Sequence, residues 1–273
     1  MTIPQYQTLS LCVSDGVAEV ALNRPTKANS MNAPMWRELQ DCFEWIDQAP
    51  EVRVAVLSGN GKHFCSGLDL TMFAGIAGDG GSTEPARRAE ALRRTVLRMQ
   101  DNLSAIEQCR VPVLAAIHNT CIGGAIDLTC CCDMRYCSAD AWFGVKEIEL
   151  GMVADVGTLQ RLPRLIGDGM VRELAYTGRR FEADEALRIG FVNRVFPNRD
   201  ELLDGVMGIA RDIAAKSPLA IRGSKEMIVY GRDHSVSDGL NYIATWNAAM
   251  LSQQDLLGTI QAQANGESIT YED

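Results

Sequence analysis

Three carboxylates stand among apolar neighbours, where burial would give an acid chemical work: Asp127 in CIGGAIDL, Glu147 in VKEIEL and Asp155 in MVADVG. Burial disfavours the charged form and lifts a carboxyl pKa toward neutrality, where the group can take up or release a proton. Glu149 competes with Glu147, because two acids two residues apart in an extended segment share one face at roughly 7 Å, and spacing does not choose between them. Asp155 also stands where it could cap the helix that follows. Two glycine-containing segments, His63-Phe64-Cys65-Ser66-Gly67-Leu68-Asp69-Leu70 and Cys121-Ile122-Gly123-Gly124-Ala125-Ile126-Asp127-Leu128, each follow a strand pattern and lead into a helix. Such junctions are usually only turns, yet their free backbone N–H groups can also face a ligand oxygen, and two together can form an oxyanion hole.

The elements that must position these groups alternate between strand and helix. Thr8 to Ser14 and Val17 to Leu22 flank Asp15-Gly16 and predict a hairpin. Asn32 can cap a helix through Asp47 carrying Met35, Leu39, Cys42, Phe43 and Ile46 at helical spacing. Buried strands are expected at Val52 to Leu57 and Val113 to Ile117, and a shorter one near Met134 to Cys137. A long helix from about Pro85 to Gln108 shows an apolar face and an arginine-rich solvated face. From Gly157 onward the patterns are almost all helical, and no linker separates independent domains. The chain therefore divides into an α/β core over 1–198 and a helical region over 199–273. The apolar positions Ile243, Trp246, Met250 and Leu251 suit burial between subunits. The segment from Gly75 to Thr83 looks the most flexible, and its folding would set the depth of a pocket beneath it.

Composition excludes several functions. At 273 residues and 47% hydrophobic, the chain can bury a large core. A net charge of -9 argues against general nucleic-acid binding or attraction to anionic lipid. No apolar run reaches the length of a membrane span. The nine cysteines include the adjacent Cys130, Cys131 and Cys132, which suit buried reduced thiols better than a disulfide framework, and neither cysteines nor histidines show zinc-site spacing.

Asn23-Arg24-Pro25, FCSGLDL, CIGGAIDL and FGVKEIELGMVADVGTLQRLPRLIG together resemble the enoyl-CoA hydratase/isomerase (crotonase) superfamily over about Thr8 to Ala264. ADVGTLQRLP, Gly231-Arg232-Asp233-His234-Ser235-Val236 and Ala244-Thr245-Trp246-Asn247 most resemble its Δ3,5-Δ2,4-dienoyl-CoA isomerase branch. The resemblance implies a ββα spiral core with a C-terminal trimerisation region, and homotrimers or homohexamers. It implies an oxyanion hole from the N–H groups of Leu68 and Gly124, and a catalytic set of Asp127, Glu147 and Asp155. Hydratases typically carry Glu at the position of Asp127 and a small or apolar residue at that of Asp155, so the third acid discriminates. The resemblance also selects Glu147 over Glu149. Lys27, Ala28 and Ser66 match the CoA-binding positions. The implied reaction moves a proton from C2 to C6 of a 3,5-dienoyl-CoA in unsaturated fatty-acid β-oxidation, with Glu147 at C2, Asp155 at C6 and Asp127 as an electrostatic partner. Coenzyme A belongs to the substrate, and no metal, flavin or nicotinamide is expected. The alternatives are a 2-enoyl-CoA hydratase, in which two carboxylates grip one water, and a non-catalytic acyl-CoA- or RNA-binding scaffold. Neither a transit peptide nor a Ser-Lys-Leu address is legible at the termini, which points to a cytoplasmic protein.

Overall fold

A computed structural model describes residues 2–72 and 84–273, so the segment expected to be flexible, Gly75 to Thr83, lies outside the described residues. Strands β1 (Leu9–Ser14) and β2 (Val17–Leu22) form an antiparallel hairpin. It turns at Asp15 and Gly16, whose φ angles of 51° and 77° are the left-handed values a tight hairpin requires. β3 (Val54–Gly59) and β4 (Val113–Ile117) continue the sheet in parallel. A second sheet begins at β5 (Thr120–Ile122), which precedes β6 (Met134–Ser138) of the first and pairs in parallel with β7 (Trp142–Gly144). β8 (Phe181–Glu182) lies antiparallel to β7, and β9 (Arg194–Phe196) closes the large sheet in the order β1-β2-β3-β4-β6-β9.

The parallel connections require crossovers, and these carry the helices. α1 (Ala33–Gln48) follows β2, α2 (Pro85–Gln108) precedes β4, and α3 (Gly124–Cys130) leads from β5 toward β6. Asn32 caps α1 by accepting the Met35 N–H at 3.2 Å. α4 (Thr158–Arg161), α5 (Asp168–Thr177) and α6 (Ala183–Arg188) fill the connection from β7 to β9. Successive turns of the chain place β4 and β6 in the large sheet and β5 and β7 in the small one, which is the expected ββα spiral.

Alternation explains the apolar runs. In β3, Ala55 and Leu57 face the main core with α1 and α2, while Val54 and Val56 face a second core. In β4, Val113, Ala115 and Ile117 face the first while Leu114 and Ala116 face the second. A strand covered on both sides reads as continuous hydrophobicity.

The second core is closed by α7 (Arg199–Ala214), through Leu202, Val206, Ala210 and Ala214. By packing, α7 therefore belongs with the core, although the division at 199 grouped it with the C-terminal region. Three helices follow: α8 (Pro218–Tyr230), α9 (Val236–Met250) and α10 (Gln253–Asn265). Buried Lys225 ties α8 to the core, donating to Asp133 Oδ2 at 2.8 Å and to the Val111 carbonyl at 3.0 Å. The Trp246 ring lies over Gly223 of α8 and is half-buried within the chain. Val236, Leu240 and Leu257 remain 80%, 64% and 63% exposed. Among the described residues, no helix is long and apolar enough to cross a membrane.

Gly205 marks the closest approach of α7 to the sheet, since a β-carbon there would lie 2.2 Å from a ring carbon of Phe196. Replacing glycine by alanine inside a helix ordinarily gains about 1 kcal/mol. Overpacking costs about 1–3 kcal/mol and should win here. Gly205→Ala is expected to lower the urea midpoint; an unchanged or higher midpoint would show that the helix shifts freely on Phe196.

Candidate active site

The two glycine loops meet because the strands before them pair. Cys65 bridges Cys121 in parallel, so the chain leaving each position runs in the same direction and both loops emerge side by side. Leu68 also bridges Met31 in parallel: Met31 N–H donates to Gly67 O at 2.8 Å, and Asp69 N–H donates to Met31 O at 3.0 Å. That register turns the intervening Leu68 N–H away from Met31. Gly124 opens α3, where the first N–H groups have no partner within the helix. A β-carbon on Gly124 would lie 3.7 Å from Leu68 N, and one on Gly67 would lie 3.3 Å from Gly124 N. Leu68 and Gly124 thus adjoin, and both line a cavity of about 560 Å³.

Glu147 stands over the second loop, with Oε1 3.4 Å from where a β-carbon on Gly123 would lie. It begins a 3-10 turn, Glu147–Leu150, and the segment is not extended. At three residues per turn, positions two apart point in different directions, which overturns the shared face expected for Glu147 and Glu149. Although both touch the cavity, Glu149 is exposed and takes the Lys146 ammonium at 2.6 Å. Glu147 Oε2 is buried without a hydrogen-bond partner among the described residues. Burial first, and the negative charge of Asp127 second, push the Glu147 carboxyl up to about 7.

Asp127 is fully buried within α3 and is not among the residues that line the cavity. Its Oδ1 accepts the N–H of Thr158, the first residue of α4, at 2.6 Å, while Oδ2 has no partner among the described residues. Burial raises its carboxyl to about 6 against the opposing hydrogen bond from Thr158. Asp127 therefore anchors the far end of the loop that bears Asp155. The helix-capping role considered for Asp155 belongs instead to this acid, since the cap residue Gly157 supplies no side-chain bond. Asp155 lines the same cavity as Glu147; it is reached by solvent, and partial burial still raises its carboxyl above the ordinary value.

The expected CoA-binding positions lie together at the mouth of the first loop. Ala28 is left-handed, with φ 48° and ψ 35°, and its carbonyl accepts the Ser66 N–H at 3.0 Å. Ser66 lines the cavity, whereas Lys27 and Ala28 do not. Buried Asn29 fastens this loop by donating to the carbonyls of Asn60 at 2.9 Å and His63 at 2.8 Å. Arg24 pairs with Asp69 at 3.0 Å. Among the described residues, no three His, Cys, Asp or Glu side chains are grouped as a metal site would need.

Several contributors carried no local signal. Gln100 of α2 donates to the Asp155 carbonyl at 2.6 Å and Thr158 anchors Asp127, both through contacts that the tertiary fold creates. Trp36, Met99 and Met152 complete the cavity wall. Trp36 and Met99 lie on amphipathic helices, where their spacing marks burial without marking a cavity.

A ββα spiral with paired backbone donors and carboxylates around one cavity defines a class of acyl-thioester enzymes. The chain belongs to the enoyl-CoA hydratase/isomerase family, whose profile matches residues 13–255. It is 48% identical over 93% of its length to the mitochondrial Delta(3,5)-Delta(2,4)-dienoyl-CoA isomerase of Rattus norvegicus, covering 79% of that protein. It is 46% identical to the peroxisomal Delta(3,5)-Delta(2,4)-dienoyl-CoA isomerase of Arabidopsis thaliana, with 96% of each chain covered. Among solved structures, the enoyl-CoA hydratase of Bacillus anthracis superposes with a TM-score of 0.88 at 33% identity, covering 97% of this chain and 99% of that one. These findings bear out the family resemblance and the fold read from the motifs.

The loop contact can be tested through its glycines. Gly67→Ala would place a β-carbon 2.7 Å from the Ile122 carbonyl oxygen at φ +84°, whereas Gly124→Ala meets the flexible methyl end of Met31 at 2.8 Å. Gly67→Ala should cost about 1–3 kcal/mol in denaturant unfolding, and Gly124→Ala clearly less. Equal losses would show that the loops do not adjoin so closely.

Proposed function

We propose that the protein isomerises 3,5-dienoyl-CoA thioesters to their 2,4-dienoyl isomers, in the degradation of unsaturated fatty acids. The observation that carries this reading is that Glu147 and Asp155 both border the cavity containing Leu68 and Gly124. Proton exchange at two separated carbons requires two acids that reach the substrate, and the names of the similar proteins agree.

In the proposed reaction the thioester oxygen accepts the N–H groups of Leu68 and Gly124. Glu147, ionised, removes a C2 proton, and the electron pair spreads through the diene onto that oxygen. Each preorganised donor is worth about 3 kcal/mol by the usual scale of oxyanion holes. Asp155 gives a proton to C6 and the double bonds settle at C2 and C4; Glu147 is left protonated and Asp155 ionised, and exchange with solvent at exposed Asp155 restores the starting state. Asp127 holds the Asp155 loop through Thr158, and its charge opposes ionisation of Glu147. Lys27, Ala28 and Ser66 bind the CoA portion. The substrate gives up one proton and takes up one, so we propose no cofactor beyond the CoA of the substrate.

The hydratase alternative needs two carboxylates gripping one water. Asp127 is a poor second grip, being absent from the cavity lining and committed to Thr158. A scaffold without turnover has no use for raised carboxyls around an oxyanion hole, and the acidic chain disfavours RNA.

We further propose a homotrimer or homohexamer, supported by the exposed Val236, Leu240 and Leu257 of the C-terminal helices. Light scattering at micromolar concentration should find three or six chains; a monomer would overturn this. The nine free cysteines suit a reducing compartment. We propose the cytoplasm, while "mitochondrial" and "peroxisomal" describe the relatives that bear those words.

Two measurements test the chemistry. Following the conjugated product in the ultraviolet, Asp155→Asn and Glu147→Gln should each lower isomerisation about 10²-fold or more. Glu149→Gln, altering the lysine-paired neighbour, should cause a far smaller loss; a loss as large would move the catalytic role to it. The pH profile supplies a second test. Glu147, raised to about 7, must be ionised while Asp155 holds its proton, so kcat/KM should be bell-shaped with one limb near 7. Asp127→Asn removes a charge that raises Glu147, so that limb should move to lower pH. A wild-type profile with no limb near 7 would remove Glu147 as the base.

A further inference from the structure

A second cavity, of about 660 Å³, lies between α1 and α2, bordered by Arg37, Gln40 and Asp41 on one helix and Thr95, Arg98, Asp101 and Asn102 on the other. Trp36 and Met99 also line it, and among the described residues these two alone line both it and the reaction cavity. The side chains of Trp36 and Met99 therefore form a wall common to the two spaces.

The two differ in freedom. Trp36 is 2% exposed, and its indole N–H donates to the Met31 carbonyl at 3.1 Å, which fixes the ring beside Gly124. Met99 is half-buried, projects from α2 and has an unbranched thioether chain whose rotatable bonds let it adopt several shapes at little cost. One side of the partition is rigid and the other can swing. Beyond it, Arg37, Gln40 and Arg98 present long stems that can flank a hydrocarbon while their polar heads reach water. Asn102 donates to Gln40 at 2.6 Å across the cleft, joining the helices on which those stems stand.

We propose that Met99, set against Trp36, determines the length of acyl chain accepted. A long 3,5-dienoyl chain passes between these side chains, and its distal end lies in the cleft between α1 and α2. A short chain ends within the reaction cavity and does not require Met99 to move. This inference rests on the isomerase reading and adds the path of the tail.

The test compares kcat/KM for 3,5-octadienoyl-CoA and 3,5-hexadecadienoyl-CoA, read as the long-to-short ratio. The wild type should isomerise both. Met99→Trp should lower the ratio roughly tenfold or more, the scale on which a filled apolar pocket discriminates, whereas Met99→Ala should maintain or raise it. Thr95→Trp, which obstructs the cleft beyond the partition, should lower the ratio as well. The proposal is overturned if the wild type isomerises only the short substrate, or if Met99→Trp and Thr95→Trp both keep the wild-type ratio in thermal melts that show folded protein. A wild type inactive on both substrates would instead refute the isomerase reading.

Discussion

The parallel pairing of Cys65 with Cys121 is the constraint from which the site follows. Two strand-to-helix junctions would otherwise be separate turns, each with unpaired N–H groups and neither able to hold an oxygen from two sides. The pairing makes them neighbours, and the Met31 register orients one donor while the start of α3 leaves the other free. Small residues at the junction are then a packing requirement. Gly67 sits at φ +84° against the Ile122 carbonyl, and a side chain there would force apart the loops that the strands bring together.

The acids show how one fold gives similar groups different work. Asp127 and Glu147 are both raised mainly by burial, with the charge of Asp127 adding to the rise at Glu147 and that of Asp155 to the rise at Asp127. Geometry separates their tasks: Asp127 spends one oxygen on Thr158 behind the cavity wall, while Glu147 borders the cavity with an unpaired buried oxygen. An unsatisfied buried carboxylate oxygen is expensive, and keeping one at a cavity wall makes sense where a substrate proton is to be met.

The sheet and long helices were legible because their signals are local. Both faces of β3 and β4 are buried, so their apolar runs are continuous, and α1 carries its cap and apolar stripe within one segment. β5, β7 and β8 are only two or three residues long, too short for a period to register. Spacing could not choose between Glu147 and Glu149 because an extended segment would put both on one face; the 3-10 turn that forms instead separates them, and family resemblance was needed to choose. Thr158 and Gln100 act through hydrogen bonds spanning 31 and 55 residues, which no window along the chain can contain.

Likeness of fold does not by itself decide the reaction, since the chain superposes closely on an enoyl-CoA hydratase while sharing greater identity with dienoyl-CoA isomerases. Hydration and isomerisation both need a polarised thioester, and the paired loops serve either. They differ in where the second carboxylate must stand. Addition of water occurs at adjacent carbons, so two acids close together suffice; a shift along a diene needs an acid at its far end. In the proposed reaction that acid is Asp155, on the loop from Met152 to Gly157, which is held by Asp127 at Thr158 and by Gln100 at the Asp155 carbonyl. Under that proposal the longer proton path depends on the anchoring of one loop, and a buried aspartate that does not border the cavity would still shape the reaction inside it.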